Sequence, residues 1–228
     1  MSTPALKNVR PLLLVVSAPS GAGKTTLCDL LLGDHPNMAY SVSCTTRAPR
    51  GAEVDGRDYH FLSKDEFDRR VHEGEFLEFA VVHGHRYGTL RKAVVDALAA
   101  GRDLIMDIDV QGAAQIRGKA FAENGPLKRA YVDIFIAPPS LDVLRDRLQK
   151  RREDAPATIE RRLQNALGEM ARWTDYQYLV VNDRLESAYR ELSAIVTAEH
   201  CRILPGWENL RTHHEGHEEH EASKAGVR

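Results

Sequence analysis

An apolar run at residues 12–16 leads directly into Ser17-Ala18-Pro19-Ser20-Gly21-Ala22-Gly23-Lys24-Thr25-Thr26 and then into a leucine-bearing helical pattern. A buried strand, a glycine-rich turn and a helix in that order leave few folds open. The glycines let successive backbone N–H groups converge on a phosphate, and the helix that follows presents its positive end at the same point. Lys24 adds a mobile charge for the outer phosphates, and the Thr25 hydroxyl is placed to ligate a phosphate-bound magnesium ion. Ala18 stands where the strict pattern G-x-x-x-x-G-K-[ST] has glycine, and its small side chain still suits the turn. The competing reading is a plain strand-to-helix turn with a solvated lysine. The apolar strand before the turn and Leu27, Leu30 and Leu31 after it weigh against that.

Size and charge narrow the setting. With 228 residues, 43% of them hydrophobic, the chain can bury one sizeable core and a small inserted subdomain. Lys and Arg total 31 against 33 Asp and Glu, so no overall positive field favours nucleic acid as a partner. The longest apolar run, 11–16, is far short of a membrane span, so no membrane partner is expected. The three cysteines, Cys28, Cys44 and Cys201, are scattered and lack C-x-x-C spacing. They are expected to be reduced thiols of a cytoplasmic protein.

Apolar runs alternate with helical patterns. Strands are expected at 12–16, 104–109, 131–136 and 179–182, with helices at 25–32, 89–100, 140–151, 159–173 and 186–202. This order implies right-handed crossovers and a doubly wound, parallel α/β sheet with its ligand at the C-terminal strand ends. Residues 40–88 break the rhythm with short alternating stretches among Pro49, Gly51, Gly56, Gly74 and Gly84, the pattern of a small, mostly β insertion. Residues 150–158, charged and carrying Pro156, suit an exposed turn where a lid could lie. Residues 205–228 are polar, hold four of the ten histidines and are expected to be a disordered, solvated tail.

Two further clusters carry chemistry. Asp107 and Asp109, two apart on a strand, should emerge on one face; they either meet metal or substrate or cap the neighbouring loop. Asp109 is the candidate for magnesium, through water, and Asp107 for the second substrate. Arg145, Arg147, Lys150, Arg151, Arg152, Arg161 and Arg162 form a basic cluster around the charged turn. It is either a solvated face or a set of guanidinium groups that swings over transferring phosphate, whose charge arrangement guanidinium matches well.

The acceptor is suggested by the joint order of weaker signals: Ser43 to Arg50, with Arg47 and Arg50 around a proline, then Gly56-Arg57-Asp58-Tyr59, Phe76-Leu77-Glu78, Tyr87-Gly88-Thr89, Asp107-Ile108-Asp109-Val110-Gln111-Gly112 and Val181-Asn182-Asp183. With the glycine-rich loop, these motifs resemble bacterial guanylate kinases over about residues 9–204. The resemblance implies a P-loop core at 9–39 and 89–204, a GMP-binding insertion at 40–88 and a helical lid at about 145–162. ATP and GMP would be the substrates and Mg2+ the metal. Ala18, Pro19, Ser20, Gly21, Ala22, Gly23, Lys24, Thr25 and Thr26 would hold the donor phosphates, with Asn182 touching adenine. Arg47, Arg50, Tyr59 and Tyr87 would bind the acceptor phosphate, and Ser43, Glu78, Thr89 and Asp107 would read the base. Thr25 and Asp109 would hold the metal, and Lys24, Arg147, Arg151 and Arg162 would act in transfer. Arg152 occupies a position that is commonly glycine in the family.

Two other classes fit parts of this pattern. A related P-loop kinase acting on a ribose bisphosphate would have no use for a guanine-reading Glu78. A non-catalytic scaffold that binds phosphorylated peptides would not need Lys24, Thr25, Asp109 and the lid arginines together.

Overall fold

In the computed structural model, which describes residues 10–82, 84–123, 125–150 and 156–203, two sheets share the chain. The chain runs β1 (Leu13–Ser17), α1 (Lys24–Asp34), β2 (Met38–Tyr40), β3 (Cys44–Thr45), β4 (His60–Phe61), α2 (Lys64–His72), β5 (Phe76–Val82) and β6 (His85–Leu90). It continues through α3 (Arg91–Ala99), β7 (Asp103–Asp107), α4 (Val110–Ala122), α5 (Pro126–Ala130), β8 (Tyr131–Ala137), α6 (Leu141–Lys150), α7 (Pro156–Met170), β9 (Tyr178–Val181) and α8 (Leu185–Cys201).

The larger sheet is parallel throughout, in the order β2-β7-β1-β8-β9. All five β1 residues are buried, because helices cover both faces of the sheet and leave no solvent side to demand alternation. Leu14 and Val16 pack with Leu27 and Leu31 of α1 and with Leu192 and Val196 of α8. Leu13 and Val15 face Val94 and Leu98 of α3, Ile116 of α4 and Leu127 of α5. The chain leaves central β1 at a switch point between β7 and β8, where open α/β sheets bind ligands. Among the described residues no helix is long and apolar enough to cross a membrane.

The smaller sheet, β4-β3-β6-β5, is mixed: β3 and β4 run parallel, while β6 is antiparallel to β3 and β5. The insertion also contains a helix. The Ser63 hydroxyl accepts from the Glu66 N–H at 3.1 Å, so Ser63-Lys64-Asp65-Glu66 is a capping-box sequence that starts α2. α2 buries Phe67 on Phe76, with ring centroids 4.4 Å apart, beside Cys44.

Several expected boundaries move. β2, a three-residue edge strand paired with β7, ends on Tyr40, the first residue assigned to the insertion, so that segment begins after Tyr40. The helix expected from residue 89 starts at Arg91, because Thr89 and Leu90 are paired with β5. The strand expected at 104–109 ends at Asp107, and α4 and α5 fill a stretch to which the sequence pattern assigned nothing. α7 begins at Pro156, in keeping with the fit of proline to the first turn of a helix. The tail at 205–228 lies outside the described residues, as do Arg151 and Arg152.

Candidate active site

The phosphate loop depends on two left-handed glycines. Gly21 and Gly23 both have φ of 92°, a conformation costly for any residue with a Cβ. Space excludes a side chain as well: a Cβ on Gly23 would lie 2.4 Å from Asn182 Nδ2, and one on Gly21 would lie 3.0 Å from Leu148 Cδ2 of α6. The Ala22 N–H donates to the Pro19 carbonyl at 3.0 Å, closing the turn. α1 has no side-chain cap, so the orphan N–H groups at its start face the loop. Ala18 packs against the core below, while Ser20, Thr25 and Thr26 are exposed.

The two aspartates take different places, which corrects the expectation of one shared strand face. The strand ends at Asp107, and Asp109 becomes the N-cap of α4, its Oδ1 accepting from the N–H groups of Gln111 at 3.1 Å and Gly112 at 2.8 Å. Asp107 is the carboxylate that meets the phosphate loop: it forms an ion pair with Lys24 and accepts from the Thr25 hydroxyl at 3.4 Å. Lys24 also donates to the Ile108 carbonyl at 3.2 Å.

Beyond Asp107 lies a cleft of about 460 Å³ between the two sheets, lined by Tyr40, Ser43, Arg57, Tyr59 and Asp107 among others. Ser43 Oγ lies 3.5 Å from Thr89 Oγ1, and the Thr89 hydroxyl donates to Glu78 Oε1 at 2.8 Å. A β-bulge between Phe76 and Glu78 sends three consecutive side chains to three destinations. Phe76 enters the insertion's core, Leu77 the main core, and Glu78 turns to Thr89, next to the cleft-lining Ser43. Glu78 is 5% exposed, and burial pushes its carboxyl above the ordinary range, an effect the Thr89 bond only partly offsets. Its Oε2 lies 3.2 Å from where a Cβ on Gly112 would stand, so a methyl there would press on the carboxylate.

Arg47 is buried, with its guanidinium carbon 5.3 Å from the Tyr59 ring centroid; Tyr59 in turn meets Tyr87 edge-on at 6.0 Å. Both guanidinium NH2 groups of Arg47 donate to Glu53, at 2.9 Å each, and the Arg50 N–H donates to the same carboxylate at 2.7 Å. Arg50 is exposed nearby. Glu53, which the sequence reading missed, thus holds the Arg47 guanidinium and the Arg50 backbone; its position three residues after Arg50 in a turn was the available signal.

α6 and α7 share a cluster of Leu144, Leu148, Leu163 and Ala166, while Leu141 is 37% exposed. Arg147 donates to the Asn182 carbonyl at 2.8 Å, and Arg162 lies half-buried on α7. Asn182 is 5% exposed, and its side-chain amide donates to the Ala22 carbonyl at 2.7 Å, beside the phosphate loop. Glu169 near the end of α7 is a second carboxylate the sequence reading missed. Burial raises it, the charge of Asp109 adds to that, and Lys24 opposes, so it shares the electrostatic field of this site.

Comparison with known proteins agrees with this architecture. The family model described as "Guanylate kinase" matches residues 10–199. A guanylate kinase of Clostridium perfringens is 45% identical over 204 residues, covering 90% of this chain and 91% of the relative. One from Geobacter metallireducens is 47% identical, covering 84% and 91%. The crystal structure of guanylate kinase from Anaplasma phagocytophilum superposes with a TM-score of 0.64 at 31% identity, covering 89% of this chain and 94% of that one. Matched by the family model over residues 10–199 and covering about nine tenths of the length of such relatives, this chain belongs to the guanylate kinase family.

Proposed function

We infer that the chain catalyses the ATP-dependent phosphorylation of GMP to GDP, by direct in-line transfer of the γ-phosphoryl group without a covalent enzyme intermediate. Glu78 carries the choice of acceptor. It is a buried carboxylate, held through Thr89 next to Ser43 at a cleft that Asp107 also lines. Guanine presents N1–H and its exocyclic amine along one edge, and one carboxylate accepts both. Adenine sets an unprotonated N1 there, a lone pair against a buried acceptor, and such a site rejects it strongly.

The remaining roles follow from position. Residues 18–26 cradle the donor phosphates, and Lys24, drawn from Asp107 by a stronger anion, neutralises charge on the transferring group. Arg47, its guanidinium held by Glu53, and Arg50 receive the acceptor phosphate with Tyr59 and Tyr87. Arg147, Arg151 and Arg162 close over the phosphates with the lid, and closure excludes the water that would otherwise hydrolyse ATP.

Thr25 and Asp107 offer hard oxygen donors 3.4 Å apart, a set that fits magnesium. The described residues contain no cluster of three or more His, Cys, Asp or Glu side chains able to hold a metal alone, so phosphates and water would complete the coordination. Bound there, magnesium supplies charge neutralisation and fixes the triphosphate geometry. Asp109, whose Oδ1 caps α4, also supports Gly112 beside the Glu78 carboxylate.

A coupled ADP-release assay with magnesium-ATP and each nucleoside monophosphate in turn tests the reading. Turnover with GMP and little with AMP is expected; no turnover with GMP, or equal turnover with both, refutes it.

A further inference from the structure

The strand that presents Glu78 is gripped from outside its own sheet. β5 is the edge strand of the smaller sheet, and an edge leaves main-chain groups that something else must satisfy. Side chains of α4 supply the partners. The Gln115 amide meets both main-chain groups of Phe79, its Oε1 accepting from the N–H at 3.2 Å and its Nε2 donating to the carbonyl at 2.9 Å. A neighbouring strand would bond the same two groups. One helical turn on, Lys119 Nζ donates to the Phe76 carbonyl at 2.7 Å. Gly112, Gln115 and Lys119 follow at steps of three and four, so they share one face of α4. The anchors at Phe76 and Phe79 bracket the bulge and Glu78, and Gly112 lies beside the Glu78 carboxylate. On the adjoining face, Ala113, Ile116 and Ala120 pack into the main core together with Leu77. The helix that grips β5 is thus seated on the larger sheet.

We propose that Gln115 and Lys119 are positioning residues for acceptor recognition, clamping the β5 main chain on both sides of Glu78 so that its carboxylate stands where guanine meets it. The proposal rests on the reading of Glu78 as the carboxylate that chooses the acceptor. The Lys119 charge also opposes the burial that raises the Glu78 carboxyl. Both side chains bond to β5, whereas the donor loop is closed by its own turn, so loosening the clamp displaces the carboxylate and spares the donor site.

The test measures kcat and KM for GMP and AMP, with magnesium-ATP affinity by calorimetry, in Gln115→Ala, Glu78→Gln and the double variant. Gln115→Ala should raise KM for GMP about tenfold and leave kcat within about twofold, less than the roughly 10²-fold cost of a 1 Å misplacement. Magnesium-ATP affinity and kcat/KM for AMP should stay unchanged. In the Glu78→Gln background the further loss should shrink to about twofold or less, because the two residues act as one unit. A loss that persists in full in that background shows Gln115 acting independently of Glu78 and overturns the proposal. An equal loss for AMP, a matching fall in magnesium-ATP affinity, or an unchanged KM for GMP overturns it as well. Lys119→Met should repeat the pattern, and Lys119→Arg, which keeps a donor for the Phe76 carbonyl, should restore KM; equal loss in both removes Lys119 from the role. An unchanged GMP-to-AMP ratio in Glu78→Gln alone is a separate result, which refutes the reading of Glu78 and the proposal with it. Should the Gln115 and Lys119 variants fail to fold, amide exchange on the unaltered protein decides. The Phe79 N–H, held by Gln115 at the sheet edge, should be slowed further by GMP but not by magnesium-ATP; exchange at the free-amide rate, or equal slowing by both, overturns the proposal.

Discussion

Glu78→Gln separates what the site needs from what the fold prefers. The substitution keeps the side chain's shape and its Oε1, which still accepts from Thr89 at the observed 2.8 Å. It removes the charge and turns the second oxygen into a donor. Against guanine, one charge-assisted bond is lost, about 1.5–3 kcal/mol, and the other becomes neutral, about 1 kcal/mol. Together, about 2.5–4 kcal/mol corresponds to a fall of roughly 10²–10³ in kcat/KM for GMP. Against adenine, the new amide can donate to N1, so AMP should gain about tenfold. Stability moves the other way. The Glu78 carboxyl of the folded protein is raised above its ordinary 4.5 because burial penalises the ion. The folded state therefore holds its proton more tightly than the unfolded chain, and the cost to folding grows as pH rises through the window just above 4.5. Below the ordinary value that cost disappears. Glutamine never bears it, so the variant should melt above the parent protein at neutral pH and match it at about pH 4. The coupled assay with GMP and AMP and a melting series against pH measure both effects. An unchanged GMP-to-AMP ratio, or a lower melting temperature at neutral pH, would refute the reasoning.

Gly112→Ala introduces a methyl 3.2 Å from Glu78 Oε2 and 3.4 Å from Ile108 Cδ1. Alanine favours the helix by about 1 kcal/mol, so a higher or equal melting temperature with a roughly three- to tenfold lower kcat/KM for GMP should follow. A loss of activity equal for all acceptors would refute the link to Glu78. Lys24→Ala should lower kcat by roughly 10² or more, the scale of a lost transition-state charge, while calorimetric GMP affinity stays unchanged. Arg10→Met strips a buried cation from Glu199, itself 2% exposed, leaving Tyr178 and Arg202 as partners. A loss of about 3 kcal/mol, or roughly 6–12 °C in melting temperature, is expected, with kcat at 25 °C unaltered because the pair lies at the N-terminal end of β1, opposite the cleft.

The phosphate loop was legible because its chemistry is local: strand, glycines, lysine and helix start lie within fifteen consecutive residues, and short-range sterics dictate the turn. The parallel sheet was legible for a related reason, since strands buried on both faces read as unbroken apolar runs. The helix of the insertion had a local signal too, the Ser63–Glu66 capping box, lost among turn residues. The division of labour between Asp107 and Asp109 had none. Two residues apart, they are indistinguishable until the pairing of β7 with β1 ends at Asp107 and lets the next turn make Asp109 a cap. Asn182 reaches Ala22 across 160 positions of sequence. By itself the sequence determined that this chain folds around a phosphate cradle in a parallel α/β sheet, because contiguous residues encode turns and burial. Only the tertiary structure decided which carboxylate meets Lys24 and which amide holds the loop, because both depend on where distant strands stop beside one another.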